Sequence, residues 1–316
     1  MIVFVFPGQG AQYVGMGVEL AERYPVARGV FDEASAAIDL DLLELCRSGP
    51  EERLRATENT QPAILTCSWA VAAVLAERGI RPQLAAGLSL GEYTALVAAG
   101  ALTLADAVRV VRQRGRFMQE AADHLQTAMA AIIGLEAERV VDVCRGTSGL
   151  VEVANFNSPG QVVIAGEVEA VEAACRGLRS AGARRVVRLS VSAPFHTSLM
   201  RPAALALARV LEQTPLAPAG IPVVANVNAE PATAPEAIRA NLIDQVARPV
   251  RWEQSMRTLH ALGATVFLEV GPGTTLAGMV RKTIPDASVL SVENQATMDA
   301  ALSALRASPA VHGVGV

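Results

Sequence analysis

The sequence predicts an α/β fold interrupted by a smaller unit, and three observations carry that reading. The chain opens on a strand and then alternates helix with strand. Its middle runs strand, helix, strand, strand, helix, strand. The first pattern resumes after His196. Alternating strand and helix indicates a sheet with helices on its faces, and the order βαββαβ is that of a ferredoxin-like unit.

Residues 2–6, "IVFVF", form a short apolar strand that Pro7 and Gly8 terminate. Residues 61–78 read as a long apolar helix, 83–88 as a short buried strand, and 91–99 as helix again. In the middle, 128–135 is a strand, 136–145 a helix, and 150–155 with 161–165 a strand pair joined by the turn "NSPG". The helix over 167–180 buries Val168, Val171, Cys175 and Leu178 at steps of three and four, and 184–191 closes the unit as a strand. A helix follows over 198–213, with strands near Val223 and Val266. The seams of the insert fall near Gln126 and Gly182, and "SPAVHGVGV" lacks periodicity and reads as a loose tail.

At 316 residues and 51% hydrophobic content the chain can bury a large core, mostly of Ala, Val and Leu. A formal net charge of −4 with dispersed arginines offers no basic stripe for nucleic acid, and 4% aromatic content offers no stacking platform. The N-terminus lacks the basic region and cleavage site of a secretory signal, and no apolar run is long enough to span a membrane. A cytoplasmic protein is expected, with small-molecule or protein partners. Cys46, Cys67, Cys144 and Cys175 are scattered without metal-ligand spacing, so they are expected as buried thiols, with no metal site.

Three residues stand out chemically. Ser89 lies in "GLSLG" between a strand and a helix, the context of a nucleophile elbow. The motif alone arises by chance in about one chain in ten of this length, and Ser is also a good helix N-cap, so both roles stay open. Arg114 has Val110, Val111, Phe117 and Met118 as helical neighbours and points inward, whereas Arg109, Arg112 and Arg116 share a polar, solvated face. A buried guanidinium needs an anion or several acceptors. That partner is either a distant carboxylate in a structural ion pair or the carboxylate of a ligand. His196 follows a Pro-bearing turn and is the best base for Ser89, with a satisfied buried histidine as the alternative. His124, His260 and His312 read as surface residues.

The blocks "FPGQGAQ", "NTQPAIL", "GLSLGEYTALVAAG", "QRGRFMQEA", "NFNSPGQVVIAG", "PFHTSLM" and "EVGPGTTL" occur in the order seen in malonyl-CoA:acyl carrier protein transacylases, over residues 2–290. The resemblance implies an α/β-hydrolase-like large subdomain over 1–126 and 194–305, a ferredoxin-like insert over 127–193, and a tail over 306–316. It implies Ser89 as nucleophile and His196 as base, oriented by the backbone carbonyl of Gln245. The oxyanion hole would use the N–H groups of Gln9 and Leu90, and Arg114 would bind the malonyl carboxylate. Met118, Phe195, Asn155 and Asn157 join the implied substrate-binding set, although both asparagines could equally shape the "NSPG" turn.

The implied reaction moves malonyl from malonyl-CoA to the phosphopantetheine of an acyl carrier protein by a ping-pong route, with neither metal nor redox cofactor and with a monomer as the expected unit. Leu90 and Phe195 resemble malonyl-selective members. Leu88 departs from the family's usual histidine, and the variant resembles discrete acyltransferases that serve polyketide synthases in trans. The rival readings are an acyl-carrier-protein hydrolase, which needs no carboxylate clamp, and a non-catalytic docking subunit for carrier protein, which needs no Ser-His pair. Carrier-protein docking could use an arginine cluster such as Arg184, Arg185 and Arg188.

Overall fold

The N-terminal strand is sandwiched between two helical layers, and its side chains divide between them. A computed structural model of the protein describes residues 1–189 and 193–307. Strand β1 (Ile2–Phe6) leads into α1 (Val18–Arg23), α2 (Pro25–Ile38), α3 (Leu42–Ser48), α4 (Glu51–Arg55) and α5 (Thr57–Glu77). Then come β2 (Leu84–Gly87), α6 (Gly91–Ala98) and α7 (Leu104–Ala122). The middle comprises β3 (Thr127–Ile133), α8 (Ala137–Arg145), β4 (Val151–Ser158), β5 (Gln161–Glu167), α9 (Val168–Ser180) and β6 (Arg185–Arg188). A 3-10 turn (Ser198–Met200) opens α10 (Arg201–Gln213), followed by β7 (Val223–Val224), β8 (Pro231–Ala232), α11 (Pro235–Ala247) and α12 (Trp252–Ala261). The chain continues through β9 (Val266–Val270), α13 (Thr275–Thr283), β10 (Ser288–Val292) and α14 (Gln295–Ala307).

Among the described residues the larger sheet has the order β10-β9-β1-β2-β7-β8, parallel throughout except for the β7–β8 pair. Successive side chains of a strand point to opposite faces. Phe4 and Phe6 therefore enter one core with α2, α5, α7 and α10, while Val3 and Val5 enter a second core with Trp252, Met256, Leu259 and Val280. A strand covered on both faces reads as an unbroken apolar run, which is why "IVFVF" shows so plainly in the sequence.

The smaller sheet is antiparallel with order β4-β5-β3-β6, the ferredoxin-like arrangement. Helices α8 and α9 cover one face through Val140, Cys144, Val171, Ala174 and Leu178. The opposite face, with Met129, Ala154, Val163 and Ala165, receives Phe195 from the loop that carries His196. Strand β4 holds two segments of the larger sheet's side. Phe156 N–H donates to Val250 O and Val250 N–H to Ala154 O, both at 2.9 Å. The Glu152 carboxylate accepts from Ser198 N–H at 2.7 Å and from Ser198 Oγ at 2.9 Å.

Several boundaries differ from the sequence reading. Helix α5 starts at Thr57 rather than at Gln61, because its polar first turn is buried with partners: Asn59 Nδ2 donates to Arg53 O at 2.9 Å and Thr60 Oγ1 to Leu54 O at 2.6 Å. Strand β4 runs on to Ser158, so Asn157 lies in the strand and not in the turn, which Pro159 and Gly160 make. Strand β6 ends at Arg188, and the rest of the 184–191 reading falls partly on residues 190–192, outside the described residues. Of the 306–316 tail, Arg306 and Ala307 close α14 and the remainder, His312 included, lies outside the described residues. All four cysteines are buried free thiols, and burial pushes Cys46 and Cys144 up to about 12. No helix among the described residues is long and apolar enough to cross a membrane.

Candidate active site

Ser89 sits on the turn between β2 and α6. The two glycines of its motif are there because backbone packs against backbone: a Cβ on Gly87 would lie 1.9 Å from Gly91 C, and one on Gly91 would lie 2.1 Å from Phe6 O. The tight turn puts Ser89 itself at φ 53, the left-handed region that costs a non-glycine residue roughly 1 kcal/mol or more. Leu90, not Ser89, occupies the N-cap position of α6, so the capping role does not hold. The serine hydroxyl is turned instead toward a histidine.

That histidine is His196, itself at φ 61 and 3% exposed. Its Nε2 lies 2.8 Å from Ser89 Oγ, and its Nδ1 lies 2.8 Å from the main-chain oxygen of Gln245. A carbonyl can only accept, so Nδ1 carries the proton and Nε2 is free to accept from Ser89. Burial and the nearby Arg114 charge push His196 down to about 4, against the raising effect of the Gln245 carbonyl. The imidazole is therefore neutral at pH 7, as a base must be.

Arg114 points inward as its helical neighbours require, and it is 2% exposed. Gly115 lets α7 approach α5 closely, since a Cβ there would fall 2.7 Å from Thr57 O. The guanidinium donates to Gln61 Oε1 at 2.8 Å, to Gln245 Oε1 at 2.9 Å and to Ser89 Oγ at 3.1 Å, and it lies 5.6 Å from the Tyr93 ring centroid. No ion pair to Arg114 is present among the described residues, so the structural ion pair is not what satisfies it. Neutral acceptors hold it, and its Nε has no partner. Burial pulls Arg114 below its ordinary value, yet an arginine stays charged.

The remaining expected site residues fall into two groups. Leu90 is buried behind Ser89, and Gln9, half-buried on the loop after β1, donates from Nε2 to Thr57 Oγ1 at 3.4 Å. Among the described residues neither backbone N–H, of Gln9 or of Leu90, is taken by an acceptor. Phe195 adjoins His196 and wedges between the large core and the small sheet. Met118 is buried and reaches the site through Gln61, whose Nε2 lies 3.8 Å from its sulfur. Asn157 is buried on β4 with its Oδ1 unpartnered, whereas Asn155 is half-buried where β4 meets Val250.

Elsewhere, His124 is exposed, and His260 is half-buried with Nδ1 3.1 Å from Ala264 O, so it is less superficial than its sequence suggests. Arg112 is likewise half-buried and donates to Ile38 O, which departs from the solvated face expected for it. No group of three or more His, Cys, Asp or Glu among the described residues could hold a metal ion.

The acyl transferase domain family matches residues 3–305. The malonyl CoA-acyl carrier protein transacylase of Bacillus subtilis is 45% identical over 308 residues, 96% of this chain and 97% of its own. The chain belongs to the malonyl CoA-acyl carrier protein transacylase family. A solved transacylase of this family, from Xanthomonas oryzae pv. oryzae, superposes with a TM-score of 0.93 at 45% identity, covering 96% of this chain and 98% of the other. A malonyl-transacylase solved in complex with its type II PKS acyl carrier protein gives a TM-score of 0.93 at 43% identity, with 96% and 99% covered. These neighbours carry the two-subdomain, α/β-hydrolase-like architecture of the family.

Around Ser89 lies a buried network that the sequence reading missed. Glu92, 3% exposed, accepts from Asn226 N–H at 2.9 Å and from Gln245 Nε2 at 2.8 Å, and burial pushes it up to about 7. Asn226 accepts from Ser89 N–H at 2.6 Å and donates to Gly87 O at 2.7 Å. A polar residue just past the carboxyl end of β7 is a weak signal for Asn226, since ligand sites of parallel sheets lie there. Gln61 is legible only as one of several polar positions in the first half of α5.

Proposed function

We propose that the protein transfers malonyl from malonyl-CoA to the phosphopantetheine thiol of an acyl carrier protein, through an ester on Ser89, in fatty acid or polyketide synthesis. The observation that carries this reading is Arg114 Nη2 standing 3.1 Å from a serine hydroxyl that is itself 2.8 Å from a neutral imidazole. A nucleophile, its base and a buried cation converge on one oxygen. A cation there favours an acyl group that brings its own carboxylate, because a bidentate pair gives Arg114 the anion that its neutral acceptors do not.

Ser89 Oγ attacks the thioester carbon while its proton passes to His196 Nε2. The carbonyl oxygen becomes an oxyanion facing the free N–H groups of Gln9 and Leu90. Collapse breaks the C–S bond, and the departing CoA thiolate takes the proton from His196. In the second half the carrier thiol gives its proton to His196 and attacks the ester, and Ser89 recovers a proton as it leaves. The Gln245 carbonyl keeps the tautomer that this cycle needs, in place of the acid of a hydrolase triad. On this reading Met118, Asn155, Asn157 and Phe195 belong to the acyl-binding set, and Phe195 beside His196 would crowd an α-methyl branch, so malonyl is preferred to methylmalonyl. These residues need no metal or redox cofactor. One chain supplies the whole constellation, so the monomer is taken as the working unit. The free, buried thiols suit a cytoplasmic enzyme.

Mixing the enzyme with malonyl-CoA alone should leave an adduct of about 86 Da on Ser89 by mass spectrometry, discharged on addition of holo carrier protein. Turnover to free malonate without carrier protein would make the protein a hydrolase instead.

The rate of acylation by malonyl-CoA should stay flat as pH falls from 8 to 6. His196, held near 4, binds a proton only below that range. An acid limb at the ordinary imidazole value near 6.5 would contradict the buried, neutral base. A limb near 7 that disappears in Glu92→Gln would belong to Glu92.

A further inference from the structure

Two peptide groups flank Ser89, and side-chain amides hold both. The Leu88–Ser89 peptide offers its N–H to Asn226 Oδ1 at 2.6 Å, and Asn226 Nδ2 reaches back to Gly87 O at 2.7 Å. The Ser89–Leu90 peptide offers its C=O to Gln245 Nε2 at 3.0 Å and, less closely, to Glu92 N–H at 3.2 Å. This second peptide carries the Leu90 N–H. A peptide unit is planar, with C=O and trans N–H pointing oppositely, so a donor fixed on Ser89 O fixes where the Leu90 N–H aims. A carbonyl that accepts a hydrogen bond also makes the N–H of its own peptide a stronger donor.

The Gln245 amide has one allowed orientation. Its Oε1 accepts from Arg114 Nη2 at 2.9 Å, and its Nε2 serves both Ser89 O and Glu92 Oε2, the latter at 2.8 Å. Turned over, it would set an NH2 against a guanidinium and an oxygen against two acceptors. Gln245 and Asn226 are fully buried and Glu92 is 3% exposed, so water cannot substitute for any of these bonds. Glu92 Oε2 also accepts from Asn226 N–H at 2.9 Å, which ties the two amides to one carboxylate. All this surrounds a residue at φ 53, a conformation that persists only when its surroundings over-determine it.

We propose that the side chain of Gln245 is a positioning residue for the acyl transfer: it aims the Leu90 N–H at the oxyanion formed on the Ser89-bound carbonyl, apart from the hold of its main-chain carbonyl on His196. The inference rests on the reading of Ser89 as nucleophile with the Leu90 N–H as oxyanion donor. A donor aimed at an oxyanion acts on the transition state and little on the ground state.

Gln245→Met keeps the side-chain length and the main-chain carbonyl and removes the amide. Its kcat for malonyl transfer should fall about 10- to 100-fold with KM within about twofold. A small alkylboronic acid provides the second readout. Ser89 Oγ adds to boron, its proton passes to His196, and a boron hydroxyl takes the oxyanion position, so its affinity should fall by the same factor as kcat. Full kcat, a change in KM alone, or a kcat loss with boronate affinity intact would each overturn the role. If Gln245→Met does not fold, Gln245→Glu serves at saturating malonyl-CoA, because it keeps the volume and lacks the donor to Ser89 O; the same kcat and boronate losses are expected. Ser89→Ala separates the two levels: transfer surviving in Ser89→Ala defeats the nucleophile reading itself, whereas transfer lost there and unimpaired in Gln245→Met defeats only the positioning role.

Discussion

Ser89→Ala should lower carrier-protein malonylation by roughly 10⁴- to 10⁶-fold, and His196→Ala by a similar factor. The two groups act as one unit, joined by the 2.8 Å contact between Ser89 Oγ and His196 Nε2. The double variant should therefore be no worse than either single one, since a base without its nucleophile has nothing to deprotonate. The residual rate would come from the Gln9 and Leu90 N–H groups and from substrate binding. Steady-state transfer to holo carrier protein, with the mass of the acylated enzyme as control, measures all three. Unchanged malonylation in both single variants would place the catalysis away from this site. Ser89→Ala removes a single oxygen at a turn, so it costs the site little volume. The Ser89→Ala change also keeps the backbone bonds to Asn226 and Gln245.

Arg114→Ala should erode the preference for malonyl over acetyl. Truncating one partner of a buried charge-assisted pair costs about 2–5 kcal/mol, so malonyl transfer should drop by roughly 30- to several-thousand-fold. Acetyl-CoA has no carboxylate and leaves Arg114 without an anion in a dry site, so its transfer should fall much less and rise relative to malonyl. Equal losses on the two substrates would contradict a carboxylate clamp. The variant also strips Gln61 Oε1 and Gln245 Oε1 of their 2.8 and 2.9 Å donors. Each buried acceptor left unpaired costs about 1–3 kcal/mol, so the melting temperature should fall as well. Comparing the two acyl-CoAs on one folded preparation cancels that common loss.

Arg114 also shows where sequence reasoning stops. Its inward direction follows from Val110, Val111, Phe117 and Met118 at helical spacing, and the structure places it 2% exposed. Its partners do not follow. Gln61 lies 53 residues away and Gln245 131 residues away, and no local pattern marks either as a guanidinium acceptor. The same contrast holds for Asn157. The "NSPG" turn is legible from its proline and glycine, yet the extra length of β4 depends on pairing with β5, which draws Asn157 into the strand and buries it. Helix α5 begins early for a similar reason, since its polar first turn is stable only against α4 and α7.

Periodicity, turn chemistry and motif order by themselves determined the α/β alternation, the βαββαβ insert, the elbow context of Ser89 and the family. All of these are written in neighbours a few residues apart, where side-chain spacing maps directly onto helix, strand or turn. Only the tertiary structure decided that Ser89 does not cap α6, that Arg114 is satisfied by neutral amides instead of a carboxylate, and that Glu92, Asn226 and the Gln245 side chain frame Ser89. The partners of Arg114 and Ser89 among them are groups from 53 to 156 residues apart that meet in a buried space, where each donor must find an acceptor because no water is there to replace it. Packing, and not the local sequence, chose the partners.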